Sequence, residues 1–189
     1  WSWGPKMEGQ TVTNWLGVSA PYTAQPSTFP IFYTDGHSAI NTVSFDGRGE
    51  NSSIRASFTN QNGQGIISTN KIAKQTLNLR GTTKLGKIFE LDGKITYIHA
   101  KGKDRPYLGE DPANAGWAIS TLPRNVPMSE LEANIVNANN IEQWAWDKTV
   151  GNPYWAKEFK RNQDERNRMQ SLFSLKTNFS EKINMTIVR

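Results

Sequence analysis

Between positions 40 and 102 hydrophobic and polar residues alternate with a period of two, and the alternation returns after Met169. Successive side chains of a strand point to opposite faces, so the pattern predicts strands with one apolar and one polar face. Val43 and Phe45 are set against Thr42, Ser44 and Asp46, and Ile54, Ala56 and Phe58 against Ser53, Arg55, Ser57 and Thr59. Leu77 and Leu79 oppose Thr76, Asn78 and Arg80. The next run is longer, with Phe89, Leu91, Gly93, Ile95 and Tyr97 on one face and Glu90, Asp92, Lys94 and Thr96 on the other. Later, Met169, Phe173, Leu175 and Phe179 oppose Gln170, Ser174, Lys176 and Asn178, and Ile183, Met185 and Ile187 open a last strand. The chain is therefore expected to be all-β and antiparallel, with about six strands.

These runs approach the roughly 9 to 11 residues with which a tilted strand crosses a bilayer, against about 5 to 6 for a globular strand. Alternation alone also fits a soluble sheet with one wet face. The connections separate the two. Tight Gly-containing or polar turns fall at 47–51, 85–87 and 180–182, while 61–74 and above all 103–165 are long. Short turns alternating with long loops are the pattern of an outer-membrane β-barrel, whereas a connection as long as the second is anomalous in a compact soluble domain. The expected division is an extracellular loop over 1–38, four barrel strands over 39–102, a long extracellular loop over 103–165 and two further strands over 166–189. Leu77, Leu79, Phe89, Leu91, Ile95, Phe173 and Leu175 are then expected to face lipid, and Asn78, Arg80, Glu90, Asp92, Lys94 and Lys176 the lumen. Tyr97, Tyr107 and Phe89 are read as bilayer-facing or girdle aromatics.

The long loop carries signals of its own. Ser129-Glu130-Leu131-Glu132 has the capping-box form, and Leu131, Ile135 and Val136 make a narrow apolar stripe, which predicts one short helix over 130–138. Beyond it Trp144, Trp146, Tyr154 and Trp155 crowd around the turn signal Gly151-Asn152-Pro153. Aromatic ring faces stack on the C–H faces of sugars or on peptide side chains, so these four are the candidate contacts to a substrate or to a lid protein. The competing reading is that they pack the loop, since one this long needs a core.

Composition narrows the function classes. With 189 residues and 36% hydrophobic, the chain has no apolar run of about 18 residues, which excludes a helical membrane protein but not a barrel. The absence of Cys removes disulfides, thiolate zinc sites and Cys nucleophiles. A net charge of +5 raises the question of nucleic acid, but Lys and Arg are dispersed among Asp and Glu without a basic block, so no nucleic-acid partner is expected. His37 and His99 are too few and too far apart for a metal pair, and His99 is read as an interfacial residue near a strand end. "GRGEN" and "NGQG" lack the Lys-Ser/Thr ending of a P-loop. No catalytic residue, metal or cofactor is therefore expected, and the chain is not read as an enzyme. The opening Trp1, Ser2, Trp3 is unlike a signal peptide, and the chain is expected to be a trimmed or internal piece.

"SWGPKMEGQ", followed by "PYTAQPSTFPIFYTDGHSAINTVSFDGRGENSSIRASFTNQNGQGII" and later by "TLPRN" and "NPYW", closely resembles the SusC/RagA family of TonB-dependent outer-membrane transporters over almost the whole chain. The Trp-Gly-Pro-Lys element, the stretch 32–36 and the hairpin 47–65 come in that family's order and spacing, while Met7 and Glu8 stand where Leu and Asp are commoner. The resemblance implies energised import of an oligosaccharide or peptide through a plugged barrel in the cell outer membrane. It implies a SusD-like surface lipoprotein as a lid, and TonB acting on an N-terminal plug that lies outside this chain. An open set of strands would leave unpaired edges in lipid, so further strands are expected to complete the barrel. A passive porin and a soluble carbohydrate-binding β-sandwich are the alternatives.

Overall fold

A computed structural model describes residues 4–26, 29–143, 150–180 and 183–189. In chain order these form a small hairpin, β1 (Thr11–Thr13) and β2 (Ser19–Pro21), a one-turn helix α1 (Phe29–Phe32), and four long strands, β3 (His37–Arg48), β4 (Ser52–Gln64), β5 (Lys71–Leu85) and β6 (Phe89–Lys103). Three short helices follow, α2 (Ala115–Thr121), α3 (Met128–Ala133) and α4 (Pro153–Phe159), and then β7 (Gln163–Asn178) and β8 (Asn184–Val188). The chain divides into two compact units. A sheet unit comprises 38–63, 72–102 and 164–189, and a loop unit comprises 1–37, 64–71 and 103–163.

The sheet is a six-stranded antiparallel meander in which every strand lies beside its chain neighbour, in the order β3-β4-β5-β6-β7-β8. Five of its strands run for 12 to 16 residues. The connection expected over 61–74 is shorter, 65–70, because β4 and β5 extend to Gln64 and back from Lys71. Asn60, Gln61, Asn62 and Gln64 are polar on both faces, so alternation could not show that the strand continues.

All the buried hydrophobic side chains among the described residues belong to the loop unit. Phe32, Ile119, Leu122, Val126, Met128, Leu131 and Tyr154 pack as one cluster, with Trp15, Tyr33, Ile67 and Ile135 against it. The segment expected as plain loop over 1–38 contributes through the β1–β2 hairpin and α1. Trp15 Nε1 donates to Glu130 Oε2 at 3.1 Å, tying the hairpin to α3. The single helix expected over 130–138 is instead α3, three short helices accompany it, and the capping box does not form. Pro127, with φ −69° and ψ 133°, holds the N-cap position without a side-chain bond, and Ser129 lies inside the helix. Asn134 ends it, its side-chain amide bonding back to the Glu130 carbonyl at 2.8 Å, a competition with helix that short amides offer.

Gly151-Asn152-Pro153, read above as a turn, is a helix start. Asn152 caps α4, accepting from Tyr154 N at 3.0 Å, and Pro153 takes the first turn, where a missing N–H costs nothing. Asn152 is fully buried, and its amide donates to the carbonyls of Leu131 (2.9 Å) and Asn134 (3.3 Å), while its backbone N–H donates to Glu142 Oε1 (2.9 Å). One side chain thus joins the end of α3 to the start of α4. Gly151 is required beside it, since a Cβ there would stand 2.6 Å from the Pro112 carbonyl oxygen and 2.7 Å from Glu142 Oε1. The two ends of the long connection are also pinned. Asp104 N donates to the Asn162 carbonyl at 2.7 Å, Arg105 N to Asn162 Oδ1 at 2.9 Å, and Arg161 forms an ion pair with Asp104 at 2.8 Å.

Replacing Asn152 by Ala leaves buried carbonyls unpaired, which typically costs about 1–3 kcal/mol. Asn152→Ala and Gly151→Ala are expected to lower the unfolding midpoint of the loop unit, followed by tryptophan fluorescence in denaturant. The exposed substitution Glu158→Gln should leave it unchanged.

Candidate functional site

The polar face of the sheet is built by cross-strand bonds. Thr42 and Thr59 hydroxyls lie 2.9 Å apart, those of Ser53 and Thr82 2.6 Å apart, and Thr96 Oγ1 donates to Asn78 Oδ1 at 2.8 Å. Arg80 grips Asp92 with two parallel bonds, Nε to Oδ1 at 3.0 Å and Nη2 to Oδ2 at 2.6 Å, the fork geometry that a guanidinium offers a carboxylate. Lys176 is paired in register with Thr186. Asn78, Arg80 and Asp92, three of the expected lumen residues, are therefore brought together on one face, and alternation puts Glu90 and Lys94 on it too. Ile40, Ile72, Ile98, Leu172 and Val188 interrupt this face with apolar side chains.

The opposite face is apolar and, among the described residues, largely exposed. Val43 is 75% exposed, Phe45 63% and Phe173 56%, and Leu77, Leu79, Phe89 and Leu91 are exposed as well. Ile95 and Leu175 are half-buried. The Phe173 ring lies over Gly93 at 3.4 Å from where a Cβ would stand, so the glycine gives the aromatic its seat. Toward the strand ends nearest the 103–163 connection this face turns polar. Tyr97 Oη donates to Asn167 Oδ1 at 2.8 Å, His99 Nδ1 lies 2.8 Å from the same oxygen, and Glu165 pairs with Lys101 at 3.2 Å. Tyr97 thus stands where the apolar band ends. Tyr107 lies beyond the end of β6, in the loop unit, so it is not a strand aromatic.

Of the four candidate contact aromatics, Trp144 and Trp146 lie outside the described residues. Tyr154 is only 4% exposed and packs edge-on against Phe32, with ring centroids 5.3 Å apart. Burial, with the Glu132 charge, raises its phenol pKa, and its part is in the core rather than in contact with a ligand. Trp155 is half-buried and stacks on Phe159 at 5.4 Å and 27°, with Lys160 Nζ 4.9 Å from its ring centre. Phe159 is 57% exposed and is the open end of this pair. Sequence reasoning missed it, although Trp155 and Phe159 are four apart, the spacing that puts two residues on one helix face. No protein-family model matches the chain, and no curated protein matches it.

Among the described residues Glu142 is the one carboxyl of the loop unit whose pKa is raised, chiefly by burial, with the Asn152 N–H and the Lys160 charge opposing. The folded state then holds the proton more tightly than the unfolded chain, so this group stabilises the fold below its unfolded pKa and loses that contribution as pH rises through the folded value. Glu142→Gln keeps an oxygen for the Asn152 N–H. The variant should be more stable than wild type at pH 8, with the margin shrinking toward pH 4, in denaturant titrations across that range. An equal margin at all pH values would assign the effect to packing.

Proposed function

We propose that the chain forms part of the wall and outer loops of a TonB-dependent importer of SusC/RagA type in the cell outer membrane. The observation that carries this reading is the inverted sheet. Its large apolar side chains stay exposed, while its polar side chains bond to one another across the strands. A soluble sandwich would cover the apolar face with a second sheet, the arrangement that gives such folds their core. In a bilayer the same face needs no cover, and a polar lumen suits the other. The strand lengths and the Tyr97–His99–Lys101 gradient on the apolar face fit a hydrocarbon band that ends in an interface.

In this reading Leu77, Leu79, Phe89, Leu91, Ile95, Phe173 and Leu175 face lipid, and Asn78, Arg80, Glu90, Asp92, Lys94 and Lys176 line the lumen. The loop unit lies outside the cell. Its partners are a SusD-like lipoprotein and an oligosaccharide or peptide, and TonB acts through a plug elsewhere in the full transporter. The exposed Trp155–Phe159 pair is the contact the loop unit offers to lid or substrate, held rigid by the buried Tyr154 beneath the same helix.

The full-length protein should fractionate with the outer membrane and co-purify with a surface lipoprotein. Trp155→Ala with Phe159→Ala should reduce lipoprotein recovery or substrate uptake by about tenfold or more, the scale of losing an aromatic anchor. Surface expression should stay normal. Recovery in the soluble fraction would overturn the membrane reading, and unchanged uptake and lipoprotein binding would overturn the role of the pair.

A further inference from the structure

The charges on the polar face are not evenly balanced. In the half near the short turns both signs occur, with Arg80 paired to Asp92, Arg55 more loosely to Asp46 at 3.6 Å, and Glu90 standing among Lys84, Lys94 and Lys176. In the half near the 103–163 connection the cations are Lys74, Arg166 and Arg168, and among the described residues none of the three has an ion pair or hydrogen bond through its side chain. Asp164, the acid of this end, already has a partner.

Register places these three cations together. The Ser57–Asn78 bond puts the even-numbered residues of β5 on the polar face, so Lys74 is there. The Tyr97–Asn167 bond and the Phe173 ring over Gly93 put the odd-numbered residues of β6 and β7 on the apolar face, so Arg166 and Arg168 are on the polar one. The Asn78–Thr96 and His99–Asn167 contacts bring Lys74 and the two arginines to the same level of β6, around Ile98 and Ala100. Lys74 and the arginines are then two strand spacings apart, about 10 Å. Ile98 and Ala100 contribute no charge to the space between. Continuing the Ser57–Asn78 register sets Gln61 opposite Lys74 and Thr59 opposite Thr76, a row of neutral donors and acceptors beside the cations.

We infer that this half of the polar face binds a carboxylate-bearing oligosaccharide, the Lys74–Arg166–Arg168 cluster taking the acid groups and Thr59, Gln61 and Thr76 the sugar hydroxyls. The inference rests on the proposal that this face lines a transport lumen and narrows the substrate to an acidic glycan. Guanidinium forks hold carboxylates in two parallel bonds, and two arginines two residues apart match carboxylates repeated along an acidic sugar chain. This half of the face sets Ile40, Ile72 and Ile98 beside a longer row of hydroxyl and amide groups, so a sugar chain suits it better than an acidic peptide with apolar side chains.

The full-length transporter in detergent is titrated calorimetrically with an oligogalacturonate, with its neutral methyl ester and with an oligoglutamate of equal charge. Wild type should bind the acid about tenfold tighter than the ester, the scale of one or two charge-assisted bonds, and high salt should erode the margin. Arg166→Gln with Arg168→Gln should abolish the margin, Lys74→Gln should reduce it, and Lys101→Gln on the opposite face should keep it. Equal affinity for acid and ester, a margin that survives the double substitution, or a preference for the oligoglutamate would each overturn the inference. Fractionation of the same wild-type preparation separates this from the importer reading, which fails only if the protein is absent from the outer membrane.

Discussion

Among the described residues the sheet unit buries no hydrophobic side chain, and most of its large apolar residues stay exposed. Its strands are joined by backbone ladders and by polar side chains that bond across them, so the usual source of sheet stability, burial of one apolar face, is missing. Thr96, on the polar face, is the buried side chain of β6, while Leu91 and Phe89 on the other face stay exposed. This inversion decides how the remaining features are read. An apolar face of this extent left in water would be an aggregation surface, a liability that the proposed contact with hydrocarbon would remove.

The loop unit solves a different problem. It is assembled from three stretches of chain separated by long strands, yet it owns every buried hydrophobic side chain among the described residues. Few regular elements are available to it, so buried polar groups fix the geometry. Asn152 spans α3 and α4, Glu142 receives its backbone N–H, and Asp104 with Asn162 and Arg161 closes the neck. Such networks specify one arrangement when every member is satisfied. A rigid support of this kind lets α4 present Trp155 and Phe159 without the whole loop collapsing onto them.

The sheet was legible in the sequence because a period of two is a geometric property of strands. The turns at Gly86 and near Ser180 were visible for the same reason, and the faces of Asn78, Arg80 and Asp92 follow from parity alone. The loop helices were not legible. α2 and α4 are each 7 residues, too short for a helical period to emerge, and their start signals are Asn114 and the Asn152-Pro153 pair, which read equally as turns. At α3 the capping box pointed to Ser129, but Pro127 already supplied an extended residue two positions earlier. Tyr154 and Trp155 are adjacent, so a helix sends one inward to Phe32 and leaves the other at the surface, a division that a count of aromatics cannot show.

The central claim is that the apolar face meets lipid and the polar face meets water. The chain has no Cys, so single cysteines at Leu77, Asn78, Leu79, Arg80, Leu91 and Asp92, in full-length protein freed of any cysteine outside this span, can each carry a nitroxide in reconstituted bilayers. Collisions with lipid-soluble oxygen and with a water-soluble nickel chelate are measured at every site. The account predicts alternation, with labels at 77, 79 and 91 exposed to oxygen and those at 78, 80 and 92 exposed to the chelate. Equal chelate access at all six positions would contradict it.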